Sequence, residues 1–173
     1  MDSRELLRDS FERVADDLPA VLDGLDADTV NRPPAPGANS IGWLAWHLAR
    51  VEDAQVADIA QSLGLGDGSQ VWHDGWYERF GLPYPIEAHG YAMSAEDAAA
   101  FAVDDPELLA DYHRAVHQAT LQLLEQLDEK SLDRIVDDSY QPPVTAGVRL
   151  VSTVNDITQH LGQAGYARGL LGR

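Results

Sequence analysis

The stretch VSTVNDITQHLGQAGYARGLLG, Val151 to Gly172, decides how the rest of the chain is read. As a helix it sets Asp156 and His160 four residues apart, one turn from each other on one face. Gln163 continues that stripe, and Val154, Ile157, Leu161 and Ala164 form the apolar stripe beside it. The pair therefore lies at the edge of the buried face rather than out in water. A carboxylate and an imidazole at this spacing can hold one metal ion from adjacent turns. Two ligands hold a metal poorly, so a third must come from elsewhere. Gly162, Gly165 and Gly169 read as points of close helix approach, at some loss of helix propensity.

A second long helix supplies the third candidate. It starts at Asn39 or Ser40, either of which can cap it, and runs through IGWLAWHLARVEDAQVADIAQSL to about Leu63. Ile41, Leu44, Leu48, Val51 and Ile59 are its apolar stripe. His47 follows Leu44 by three residues and adjoins Leu48, so it points inward, whereas Glu52, Asp53 and Asp58 are free to face solvent. A lone inward histidine is most simply a hydrogen-bonded core residue. Two of them with an inward Asp156 are different, because a buried carboxylate is costly unless paired or on a metal. Facing helices of a bundle can deliver such groups to one point. Two imidazoles and one carboxylate suit zinc, nickel, iron or manganese and leave coordination positions open.

The remaining chain fits around these two segments. Asp2 to Leu25 reads as an amphipathic helix with Ser3 as N-cap, and Pro19 should kink or split it. Asn31 to Ser40 is a proline-rich connection. Gly64 to Met93 is irregular and carries Trp72, Trp76, Tyr77, Phe80, Tyr84 and Tyr91, with a short helical turn expected around Gly75 to Phe80. Loops of that length are usually lids or binding loops. Ser94 with Asp97 signals a short helix through Phe101. Asp105-Pro106 opens a third long helix to about Leu127, with Leu109, Tyr112, Val116, Ala119, Leu123 and Leu127 as its stripe. Asp128 to Thr145 is polar, with a brief helical or extended piece near Leu132 to Val136. Thr145 caps the last helix, Ala146 to about Leu171. The expectation is an all-α protein: a four-helix bundle in one domain, 1–173, with a long aromatic-rich connection between the second and third long helices.

Composition narrows the function classes. The 173 residues carry a formal net charge of −17 and no cysteine, and Lys130 is the single lysine. That acidity disfavours nucleic acid and anionic membranes as partners. The lack of cysteine excludes disulfides, thiolate-held zinc and a protein-borne sulfur nucleophile. No apolar run approaches the ~18 residues of a membrane span, and Met1 to Ser10 is too charged for a signal peptide, so a cytoplasmic protein is expected. No HExxH, glycine-rich phosphate loop or GxSxG elbow is present. His113 and His117 also stand four apart, but His117 lies about 100° from its helix's apolar stripe, so an exposed pair is expected. His73 and His89 fall in the loops.

At NSIGWLAWHLARVED and DITQHLGQAGYARG the chain resembles the DinB/YfiT-like metalloprotein superfamily, and especially actinobacterial members related to thiol-dependent S-transferases. The likeness covers nearly the whole chain. It implies a four-helix bundle, commonly dimeric, with a metal triad that falls here on His47, Asp156 and His160, where many relatives have histidine at the Asp156 position. It further implies a divalent metal, foremost zinc, and a small-molecule thiol, mycothiol, activated as a metal-bound thiolate for attack on an electrophile, in conjugation and detoxification or in thiol-assisted isomerisation. The chain's own chemistry agrees that the sulfur must come from a cosubstrate. Trp72, His73, Trp76 and Tyr77 could receive the thiol or the electrophile, or the aromatics could be ordinary loop core. Gln163 could orient a ligand or serve as a helix-packing amide. The alternative function is a non-catalytic, stress-related metal-binding protein of the same fold.

Overall fold

The computed structural model describes residues 1–172. Four long helices carry the architecture: α1 (Ser3–Leu22), α3 (Ile41–Leu63), α6 (Glu107–Gln126) and α8 (Ala146–Leu170). α3 packs against both α6 and α8, and α1 closes the ring by packing on the same two helices. The result is the expected all-α bundle. Short elements fill the connections: α2 (Ala27–Asn31), a 3₁₀ turn (Val71–His73), α4 (Trp76–Phe80), α5 (Ala95–Ala99), α7 (Glu129–Leu132), and an antiparallel pair, β1 (Ile135–Asp137) with β2 (Val144–Thr145). Among the described residues no helix is long and apolar enough to cross a membrane.

Local chemistry explains the helix ends. Ser40 caps α3 by accepting from Trp43 N, and Gly64 ends it in the left-handed conformation with φ 73°. Thr145 caps α8 by accepting from Val148 N at 3.3 Å. Asp105 accepts from Glu107 N at 3.0 Å beside Pro106, at the start of α6. At α1 the cap is Asp2 and not Ser3: its carboxylate accepts from Glu5 N at 2.8 Å, and Glu5 accepts from Asp2 N at 2.9 Å. Pro19 lies on the exposed face and does not split α1, which runs on to Leu22. The carbonyls of Ala20 and Val21 are then satisfied from afar, each accepting from Arg168 Nη1 on α8 at 2.8 Å. α2 was not expected. It is five residues long, too short for periodicity, and held by its Asp26 cap.

Burial departs from the sequence expectation at four polar positions. Glu52 and Asp53 do not face solvent; they are 0% and 3% exposed. α3 is enclosed by α6, α8 and the connection after it, so the sides of its middle that carry Glu52 and Asp53 are covered. Nor are His113 and His117 an exposed pair, since α6 faces two helices and buries a wide arc that takes in both. Glu52 and His113 satisfy each other, Asp53 is satisfied by the connection and α6, and His117 Nδ1 is buried without a hydrogen-bond partner. Glu52 accepts from Thr120 Oγ1 at 2.6 Å and pairs with His113 Nε2 at 3.2 Å. Asp53 accepts from the backbone N–H groups of Val71 and Trp72 at 2.9 and 2.8 Å and from the Tyr112 hydroxyl at 2.8 Å. Burial lowers the His117 pKa and raises those of Asp53 and Tyr112.

Asp53 thus pins the start of the long connection to α3. Asp53→Ala should leave two buried N–H groups, a phenol and the Arg50 guanidinium short of an acceptor, at a cost of about 3–5 kcal/mol. Urea unfolding measures this, and a loss below about 1 kcal/mol would mean the carboxylate is not structurally required.

Candidate metal centre

His47 projects from the first half of α3, and Asp156 and His160 project from consecutive turns of α8. One potential ligand atom from each lies within 4.8 Å of the other two. The imidazole centroids of His47 and His160 are 4.5 Å apart with the rings edge-on at 75°. His160 Nε2 is 3.7 Å from Asp156 Oδ2. Trp43 backs the group, stacked on His47 at 4.7 Å and meeting His160 edge-on.

The hydrogen bonds decide which nitrogen each imidazole offers. His47 Nδ1 lies 2.5 Å from the carbonyl oxygen of His89, which can only accept, so Nδ1 carries the proton. His160 Nδ1 donates to Gln163 Oε1 at 3.0 Å. With Nδ1 as the donor, Nε2 is the nitrogen that each ring turns toward a ligand in its neutral form. Such outer partners fix tautomer and ring orientation at metal sites. Burial, the largest influence, lowers the His47 pKa from 6.5 to about 4, the His89 carbonyl acting in the opposite sense. His47 is thus neutral and ready to ligate at neutral pH. Asp156 Oδ2 is buried and has no hydrogen-bond partner. A carboxylate oxygen in that condition, facing two free imidazole nitrogens, is what a bound cation would satisfy. The three residues fit a divalent metal and leave coordination positions open.

The support of His47 comes from residues that the sequence reading did not single out. The segment Ala88-His89-Gly90 is strapped to α3 at two points: the Ala88 carbonyl accepts from Arg50 Nε at 3.1 Å, and the His89 carbonyl accepts from His47. Gly90 has φ +92°, and a Cβ there would fall on His47 Nδ1 and crowd Trp43. Arg50 is 1% exposed and is itself held by Asp53, Gln70 and Tyr112, with Trp72 under its guanidinium at 4.9 Å. The available signals were faint: an arginine one turn after His47, and a glycine inside an irregular stretch.

The expected loop residues are placed elsewhere. Trp72 is buried and packs on Trp46, Tyr77, Phe80 and Tyr112. Trp76 lies on Tyr112 with Arg79 over its ring, and the Tyr77 hydroxyl donates to the Tyr84 carbonyl. His73 is exposed. Among the described residues these rings meet one another and the core, and none meets His47, Asp156 or His160. Gln163 is exposed at the surface but bonded to His160. On its open side Asp156 lines a cavity of about 250 Å³ between α3 and α8.

A family model described as the DinB superfamily matches residues 10–164 of the chain. The crystal structure of a conserved protein from Enterococcus faecalis matches with a TM-score of 0.88 and 33% sequence identity, over 100% of this chain and 99% of that one. No curated protein matches the chain.

Two outcomes are expected. Gly90→Ala should push His47 out of line and weaken divalent metal binding about 10- to 100-fold, the range for a lost outer partner, with helix content unchanged. Competitive chelator titration reads the affinity, and an unaltered constant would refute the strap's role. In metal-free protein the low His47 pKa makes stability pH-dependent. The group's contribution is complete above pH 6.5 and is lost as pH falls to about 4, because the unfolded chain takes a proton that the folded site resists. The loss should be at most about 3 kcal/mol. Urea unfolding of wild type and His47→Gln checks it, and equal slopes in that window would discount His47.

Proposed function

The chain belongs to the DinB superfamily, and on that premise we propose that it is a metal-dependent thiol S-transferase that joins a small-molecule thiol, foremost mycothiol, to an electrophile. The observation that supports the reading is the His47, Asp156 and His160 group, with its unpartnered carboxylate oxygen, at the edge of a cavity large enough to admit a ligand group. A divalent cation held there, zinc by preference, supplies a Lewis acid that lowers the pKa of a thiol. The chain has no cysteine, so the nucleophilic sulfur enters with the cosubstrate.

The chain's own residues do the rest. The His89 carbonyl and Gln163 hold the two imidazoles with Nε2 toward the pocket. Asp156 contributes one negative charge, so the site with a divalent cation is net positive and attracts an incoming thiolate. Trp43 and the Gly90 strap cover His47 and exclude water from its buried side. The reaction makes one carbon–sulfur bond. The thiol proton passes to solvent, and the electrophile either releases its leaving group or, in an addition, takes up a proton at the neighbouring atom. The same reading includes a homodimer, and the exposed Val148, Val151, Tyr166 and Leu170 on α8 support it as a face that a second copy would cover.

The test is a thiol panel on zinc-loaded protein, with mycothiol, bacillithiol and glutathione each offered a fluorogenic electrophile. Turnover is expected with mycothiol and should fall at least about 100-fold in His160→Ala, which loses a ligand and its Gln163 contact. No rate above background with any thiol, on protein shown to hold metal, would reject the transferase in favour of non-catalytic metal binding.

A further inference from the structure

The cavity beside Asp156 does not end there. A second cavity of about 240 Å³ continues it toward β1, and Gln55 and Arg149 line both. The two make one groove between α3 and α8. Either alone falls below the roughly 300–1,000 Å³ of common small-molecule sites, and together they reach it. Seven residues of α8, about 10 Å of helix, separate Asp156 from Arg149. A ligand with one end at the metal group therefore has room to lie along the groove.

The lining decides what that ligand is. The cavity toward β1 is mainly polar, the one beside Asp156 is mixed, and together they supply both donors and acceptors: the Gln55 amide, the Ser152 hydroxyl, the Arg149 guanidinium, and the carboxylates of Asp58 and Asp137. Arg149 is already engaged, since Nη2 donates to Asp137 at 2.5 Å. An anion drawn to Arg149 would meet Asp58, Asp137 and Asp156 along the same wall, so an anionic tail is disfavoured. An apolar tail would strip water from these groups and return no hydrogen bonds. A neutral, hydroxyl-rich tail meets neither objection, because each hydroxyl can donate to a carboxylate and accept from the guanidinium or the amide. Tyr91, directly after the Gly90 strap and 82% exposed, stands on the rim and offers a ring face to such a ligand.

We propose that the groove between α3 and α8 seats the neutral, polyhydroxylated portion of the thiol cosubstrate, with Gln55, Asp58 and Arg149 as the residues that select it. This rests on the transferase reading for the thiol end, whereas the preference for a polyol follows from the lining itself.

The test uses a thiol-free probe, N-acetylglucosaminyl-inositol, titrated calorimetrically into the zinc-loaded full chain, with inorganic phosphate as the anionic comparison. Saturable binding of the glycoside is expected, weakened about tenfold or more in Asp58→Ala and in Gln55→Ala. The same two variants should raise KM for mycothiol and leave the rate with N-acetylcysteine as it was. Absence of glycoside binding, binding that both variants leave intact, or tighter binding of phosphate than of glycoside would overturn the assignment. Glycoside binding with the expected variant effects but no thiol turnover would overturn the transferase reading alone and leave the polyol groove standing.

Discussion

Arg50 sits at 1% exposure in the middle of α3, and a guanidinium there must have its donors satisfied or the helix cannot be buried. Its partners come from every direction. Asp53 lies one turn along the same helix, Gln70 and the Ala88 carbonyl belong to the connection that follows, and Tyr112 belongs to α6. Trp72 packs beneath its plane. Meeting the needs of one cation therefore folds some twenty residues of otherwise irregular chain against the bundle. Asp53 completes the arrangement by receiving the backbone N–H groups of Val71 and Trp72. The aromatic residues of the connection then pack as a satellite core over α3 and α6.

The metal group inherits its order from that network. The strap that accepts from Arg50 also accepts, one residue later, from His47. The tautomer of His47 is thus set by a backbone carbonyl whose position depends on a buried charge one turn away. His160 is oriented more locally, by Gln163 on its own helix. Asp156 is the one member whose second oxygen is left without a protein partner. The arrangement separates two tasks: the imidazoles are held in orientation, and the carboxylate remains available.

Two polar systems run along α3 without merging. Arg50 and Asp53 face the connection, while Glu52 faces His113 and Thr120 on α6. His47 faces a third direction, toward α8. One helix serves three neighbours because it lies at the centre of the packing. That centrality explains why its middle carries charges at all: each is paired, and each pairing fixes a different neighbour in place.

What the sequence by itself determined was the set of properties that repeat within a few residues. Ser40, Thr145 and the Asp105-Pro106 step mark the starts of three long helices, and the stripes through Leu44 and Leu48 or Ile157 and Leu161 mark their buried faces, because capping and 3.6-residue periodicity are local. The four-residue spacing of Asp156 and His160, with His47 inward on α3, was legible for the same reason. Only the tertiary structure decided how wide each buried arc is. Glu52, Asp53, His113 and His117 looked free for solvent because one stripe predicts one neighbour, whereas α3 and α6 each have more. It also decided the support of His47, since the strap's bonds join residues 38 and 42 positions apart. The β1–β2 pair and the groove beside Arg149 are likewise made by segments that meet only in space. No local rule reaches those separations, because a long-range contact depends on the packing of elements and not on the order of residues within one.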